Sequence, residues 1–153
     1  MTIAKYKFNE LAIREAAQKD GVTHFSTGIA VLRNDKILIV QRAEHDYLGG
    51  NYELPGGGVE KNETISSGAQ RELLEETGLG ITEILDIHEA FDYKTDKKPR
   101  VRQFNLLVMA RGNQIKLDPK EHSAYKWVGQ DEYQILAMSD EIKASMVRLF
   151  KNT

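Results

Sequence analysis

The chain has 153 residues, 41% hydrophobic and 29% charged, a balance that suits one folded domain with a real core rather than a disordered or membrane-spanning chain. Its formal net charge is -2, from 21 Lys+Arg against 23 Asp+Glu, so it offers no broad basic face to polymeric DNA or RNA. With no cysteine, disulfides, thiol nucleophiles and Cys–zinc sites are excluded.

Met1–Lys7 alternates polar and apolar residues without the unbroken apolar core of a signal peptide. No apolar run approaches the roughly 20 residues that span a bilayer, so a cytoplasmic protein is expected. Asn9 suits a helix N-cap, with Phe8 before it and Ile13 placed for a hydrophobic staple; the helix should run to Lys19 and stop before Gly21. Phe25–Val31 and Ile37–Val40 read as strands, joined by a hairpin turn at Arg33-Asn34-Asp35-Lys36. A Gly/Tyr/Pro-rich loop follows from Tyr47 to Gly58. Thr64–Thr77 then has helical spacing, with Ile65, Ala69 and Leu73 on one stripe and Gly78 suited to a left-handed cap. Ile81–Ala90 and Val101–Ala110 read as strands joined across a polar tip at Tyr93–Arg100, and Tyr125–Val128 as a short one. Asp131–Ala137 reads as a short helix. Ser139 or Asp140 caps a final helix with Ile142, Met146, Leu149 and Phe150 on one side. This order predicts a single α/β domain, a mixed sheet between helices.

The chemistry concentrates between Gly57 and Leu79. Glu72, Glu75 and Glu76 stand at i, i+3 and i+4, which puts three carboxylates on one helix face. They lie in the last turns, where the helix dipole disfavours negative charge. From Glu60 to Glu76 five Glu face only Lys61 and Arg71, a local charge of -3. A hard divalent cation resolves that conflict, because magnesium prefers carboxylate oxygen. Arg71, four residues before Glu75, is placed to orient it or another carboxylate. Pro55-Gly56-Gly57-Gly58 leaves backbone uncovered, so a phosphate or metal can approach it closely.

Taken singly, glycine loops are commonly turns and acidic patches commonly solvated faces. Together, Gly57, Glu63, Arg71, Glu72, Leu73, Glu75, Glu76, Gly78 and Leu79 match position by position the signature of the Nudix hydrolase family, which the chain resembles. Asn62 stands where relatives often carry Gly, outside the specified positions. The resemblance implies an α/β/α sandwich and a metal-dependent pyrophosphohydrolase. It also implies magnesium or manganese on Glu72, Glu75 and Glu76 with the Gly56 carbonyl, Glu63 and Arg71 in support, and a proton-accepting carboxylate at Glu72 or at Glu121.

The substrate is less legible. The tip carries Lys94, Lys97, Lys98, Arg100 and Arg102 against Asp96, a local +4 that either attracts phosphate or is an ordinary solvated hairpin. Arg42, Tyr52, Lys97, Lys98 and Arg100 are the substrate-binding candidates. Tyr47, Tyr52, Phe91, Tyr93 and Phe104 are available to stack a base, although strand aromatics are more often core. His24, His45, His88 and His122 show no metal-ligand spacing and read as structural or surface residues. The expected partner is a small nucleotide-type substrate, with neither polymeric nucleic acid nor membrane, and homodimer formation is left open. A non-catalytic nucleotide-sensing domain and an isomerase on the same scaffold are the alternatives.

Overall fold

The structure, a computed structural model, describes residues 9–152. Helix α1 (Glu10–Lys19) begins where expected, with the Asn9 side chain accepting from the Ala12 N–H at 3.1 Å. The staple residue Phe8 lies outside the described residues. Strands β1 (His24–Arg33) and β2 (Lys36–Arg42) are joined through Asn34 and Asp35 at φ 52° and 61°. Two successive positive φ values match the twist of a hairpin, and Asn and Asp tolerate them best among non-glycine residues.

The Tyr47–Gly58 segment is more regular than a loop. It contains the short strands β3 (Tyr52–Glu53), paired with β2, and β4 (Gly56–Gly58), paired with β1. Helix α2 (Ile65–Thr77) follows, then the long antiparallel pair β5 (Gly80–Tyr93) and β6 (Val101–Arg111). Strand β7 (His122–Val128) starts three residues earlier than the apolar pattern suggests, because its ladder with β2 continues past a register shift to pair His122 with Arg42. The expected helix at Asp131–Ala137 shrinks to one 3₁₀ turn, Tyr133–Ile135, ended by Leu136 in extended conformation. Helix α3 (Asp140–Asn152) closes the chain, and Ser139 caps it by accepting from the Ile142 N–H.

The seven strands form one sheet in the order β3-β2-β1-β6-β5, with β4 on β1 and β7 on β2. It is mixed: β1 and β6 run parallel from His24↔Val101 to Val31↔Val108, and the other pairs are antiparallel. Alternate side chains feed two cores. Ile29, Val31 and Leu38 pack with Ile65, Ala69 and Leu73 of α2, and Ile13 of α1 joins that side. Ala30, Ile37 and Ile39 pack with Met146 and Leu149 of α3. The edge of β1 is divided: β2 leaves it after Leu32↔Ile37, and β4 takes the other end at Ser26–Gly28. That fork carries the glycine strand to the acidic helix.

Candidate active site

Helix α2 is fixed at both ends. Thr64 and Ser67 cap its start reciprocally, and Gly78 ends it at φ 78°. Ile65, Ala69 and Leu73 seat it on the sheet, which aims Glu72 and Glu76 at β4. The Glu76 carboxylate is 7% exposed and accepts from the Gly56 N–H at 2.9 Å. A Cβ on Gly57 would stand 2.5 Å from the carboxyl carbon of Glu72, and one on Gly56 would stand 2.0 Å from the Thr27 carbonyl oxygen. Only bare backbone passes through that gap.

Arg71 organises the carboxylates around it. Its Nε and Nη2 donate to Glu63 at 2.8 and 2.9 Å, and Nη2 also reaches the Gly58 carbonyl at 2.9 Å. Nη1 bridges Glu72 at 3.0 Å and Glu75 at 3.3 Å. The Arg71 hydrogen bond holds Glu63 below the usual carboxylate range, and the return effect holds Arg71 more firmly charged. Burial pushes Glu72 up despite Arg71, with the charges of Glu75 and Glu121 adding to it. Burial pushes Glu76 furthest, to about 7, against the Gly56 hydrogen bond and the His122 charge.

The start of β7 completes the group. The Glu121 carbonyl accepts from the Ala43 N–H at 2.9 Å, which anchors the turn beside β2. Carboxylate oxygens of Glu76 and Glu121 and a ring nitrogen of His122 then lie within 4.8 Å of one another. His122 is 4% exposed, with Nε2 3.0 Å from Glu53. Burial opposes its charge, yet the Glu53 hydrogen bond and the Glu76, Glu53 and Glu121 charges outweigh burial and raise its pKa. Sequence reasoning had no reason to single out His122, since the pairing that brings it to Glu76 is made by β7 and not by spacing.

A cleft of about 360 Å³ lies against the glycine strand. Ser26 and Thr27 of β1, Gly56–Gly58, Phe91, Tyr93, Gln103 and Asn105 line it. Its polar side chains are linked. Ser26 donates to Gln103 at 3.2 Å, Gln103 to Asn105 at 2.9 Å, and Asn105 to Glu89 at 2.9 Å. Gln103 and Asn105 alternate with Phe104 and Leu106 along β6, a period-two polar pattern that was available in the sequence.

The substrate-binding candidates separate. Lys98 lines the cleft, its Nζ 3.9 Å from where a Cβ on Gly58 would stand. Arg42 also lines it, but its guanidinium is held by Glu53 and Asp46, both at 3.0 Å. Tyr52 is in the α3-side core at 7% exposure, since pairing with Gln41 turns it inward. Arg100 turns back to Asp92 at 2.9 Å and to the Asp20 carbonyl, away from the cleft. Lys97 is exposed and does not line it; its N–H and that of Lys98 are tied to Thr95 Oγ1, so the tip is a bonded turn rather than a loose hairpin. Of the aromatics, Phe91 and Tyr93 reach the cleft and Phe104 is core.

The carboxylate burial has a measurable consequence in metal-free protein. Glu76, Glu72 and His122 all have raised folded pKa values, so their contribution is complete below the unfolded value and is lost as pH rises through the folded one. His88, lowered by burial, acts oppositely but is spent above its ordinary 6.5. Melting temperature in EDTA is therefore expected to fall between about pH 6.5 and 8, by roughly 1 kcal/mol or 2–4 °C. Saturating magnesium should remove the fall. A flat or rising curve would contradict the buried, unneutralised state of Glu76.

The NUDIX domain family matches residues 22–150. The chain is 37% identical over 60 residues to an 8-oxo-dGTP diphosphatase of Proteus vulgaris, covering 39% of this chain and 54% of that protein. It is 35% identical over 97 residues to the asymmetrical bis(5′-nucleosyl)-tetraphosphatase of Rattus norvegicus, covering 60% and 65%. The chain thus spans between about half and two thirds of these relatives. In fold it is similar to the crystal structure of a MutT NUDIX hydrolase from Burkholderia pseudomallei, with a TM-score of 0.70, 20% identity, and coverage of 82% and 97%. No helix among the described residues is long and apolar enough to cross a membrane.

Proposed function

Because the chain belongs to the Nudix domain family, we propose that it is a metal-dependent hydrolase cleaving a pyrophosphate bond in a nucleoside-diphosphate-linked substrate, with a nucleoside triphosphate as the preferred form. The observation that carries this reading is the buried Glu76 carboxylate, bonded to the glycine strand that also walls a polar cleft. Members of the family generally use a divalent metal, and the donor set here fits one: Glu72 and Glu76 are carboxylates whose burial and mutual charge ask for a cation.

Glu72, Glu75 and Glu76, with the Gly56 carbonyl, would hold magnesium or manganese, which when bound neutralises pyrophosphate oxygens and acidifies a water. Arg71 keeps Glu72 and Glu75 placed. The candidate proton acceptors are Glu72, held in the Arg71 cluster, and Glu121, exposed and outside it. Phe91 and Tyr93 offer ring faces to a base, Gln103 and Asn105 offer amide donors and acceptors to its edge, and Lys98 offers charge to phosphate. The named activities of the two relatives, on 8-oxo-dGTP and on a bis(5′-nucleosyl) tetraphosphate, share a nucleoside on a polyphosphate chain.

The deciding experiment is phosphate release, coupled through inorganic pyrophosphatase, from a panel of nucleoside triphosphates and dinucleoside polyphosphates, with magnesium and with EDTA. Turnover only with metal is the expected result. Nucleotide binding without turnover on any member would favour a sensing domain instead. Within this reading Lys98 and Lys97 should differ. Lys98→Ala is expected to raise KM by roughly 3- to 10-fold at low salt, less at high salt, with kcat nearly constant. Lys97→Ala should change neither constant, and equal effects from the two would show that only the overall charge of the tip counts.

A further inference from the structure

His122 is the first residue of β7 and is 4% exposed. Its backbone is fixed, the N–H donating to the Asp118 carbonyl at 2.9 Å. Its Nε2 lies 3.0 Å from Glu53 Oε2, and Glu53 is itself held by Arg42 Nη1 at 3.0 and 3.3 Å. A carboxylate paired with arginine is ionised and can only accept, so Nε2 carries the hydrogen. Nδ1 is then either a bare lone pair or, in a doubly protonated ring, a second donor. Among the described residues Nδ1 is buried and has no hydrogen-bond partner at all. Nδ1 is thus the ring nitrogen that Glu53 leaves free.

The ring belongs to a group of donors. A ring nitrogen of His122 and carboxylate oxygens of Glu76 and Glu121 lie within 4.8 Å of one another. Three ligands about 2.1 Å from a common ion stand roughly 3–3.6 Å from one another, so side-chain shifts of about an ångström or less would close the three around one. A histidine whose other nitrogen is held by a carboxylate is the arrangement that aims an imidazole at a metal and strengthens it as a ligand. Imidazole suits zinc, iron, nickel and copper; manganese, though at home among oxygens, accepts a nitrogen ligand more readily than magnesium, which favours all-oxygen sets.

We propose that Glu76, Glu121 and His122 Nδ1 form a mixed nitrogen–oxygen cation site that prefers a first-row transition metal such as manganese over magnesium. The inference rests on the reading of Glu76 as a metal-binding carboxylate, and adds a ligand that the acidic helix does not supply.

The test uses the full chain loaded with manganese and examined by pulsed electron paramagnetic resonance. The expected result is a directly coupled ¹⁴N signal that becomes a ¹⁵N signal in protein labelled at histidine and vanishes in His122→Gln. In parallel, titrations followed by thermal shift should show His122→Gln weakening manganese roughly 10- to 100-fold, with magnesium changed much less. Because the labelling experiment uses the unmodified sequence, it decides even if the variant folds poorly. Manganese bound without nitrogen coupling overturns the proposal while leaving the metal-dependent reading intact. Equal loss of manganese and magnesium in His122→Gln also overturns it, reducing His122 to a support for Glu53. Failure of the native chain to bind either ion overturns both.

Discussion

Replacing Glu76 with Gln is expected to abolish most turnover and at the same time make the metal-free protein more stable at pH 8. The two effects share one cause. The carboxylate is buried and pushed to about 7, so at pH 8 the fold carries an ionised group that it disfavours. The gap between about 7 and the ordinary 4.5 sets an upper bound of roughly 3 kcal/mol on that penalty. Glutamine keeps an oxygen for the Gly56 N–H and removes the charge, so a gain of about 1–2 kcal/mol, or roughly 3–6 °C, is expected in EDTA. The gain should shrink at pH 5.5, where the native carboxyl is already protonated. With metal present the order reverses, because only the native residue supplies a charged ligand. Turnover should fall roughly 10²–10³-fold, about 3–4 kcal/mol of barrier. Melting curves at two pH values with and without magnesium, beside steady-state kinetics, check every part. A folded variant with near-native turnover would sink the role given to Glu76.

Arg71→Ala is expected to damage both the fold and the site. The side chain makes five hydrogen bonds that bind three carboxylates and the Gly58 carbonyl into one unit. Without it, Glu63 and Glu72, whose side chains are only 17% and 16% exposed, repel each other with no compensating charge. A fully buried pair broken in this way loses about 3–5 kcal/mol; partial exposure reduces the expected loss to about 2–3 kcal/mol. Turnover should drop by roughly 10²-fold even at temperatures where the variant is folded, since Glu72 and Glu75 lose their common anchor. Arg71→Lys should recover little, because one ammonium cannot span Glu63, Glu72 and the Gly58 carbonyl together. Full recovery in Arg71→Lys would mean that charge alone matters there.

Much of this is legible in the sequence. The Asn9 and Gly78 caps, the Asn34-Asp35 turn, the Ile65–Leu73 stripe and the α2 carboxylates all follow from local chemistry or a fixed period. What stayed hidden is made by long-range pairing. Tyr52 reads as an aromatic in a glycine-rich loop, and only its ladder partner Gln41 shows that it faces the core. Arg100 reads as one charge of a basic tip, whereas Asp92 and the Asp20 carbonyl claim it across the strand pair and α1. His122 looks isolated until β7 pairs with β2 and sets it against Glu53 and Glu76. Glu121 was named on family resemblance, and the same pairing brings it beside Glu76.

The parallel ladder between β1 and β6 has a consequence for how the molecule comes into being. Its partners His24 and Val101 are 77 positions apart (101 − 24), and a separation of that size must be closed before either strand gains from the other. Pairings between distant segments are formed slowly, so this step, together with the similarly distant β2–β7 ladder, is expected to limit the refolding rate. The cleft straddles that seam, with Ser26 and Thr27 on one strand and Gln103 and Asn105 on the other. A chain emerging from the ribosome can therefore wind α2 and assemble its acidic face while still lacking any pocket for a substrate. Binding competence arrives only when β6 docks, which makes ligand protection of Gln103 and Asn105 amides a late kinetic marker of the native state.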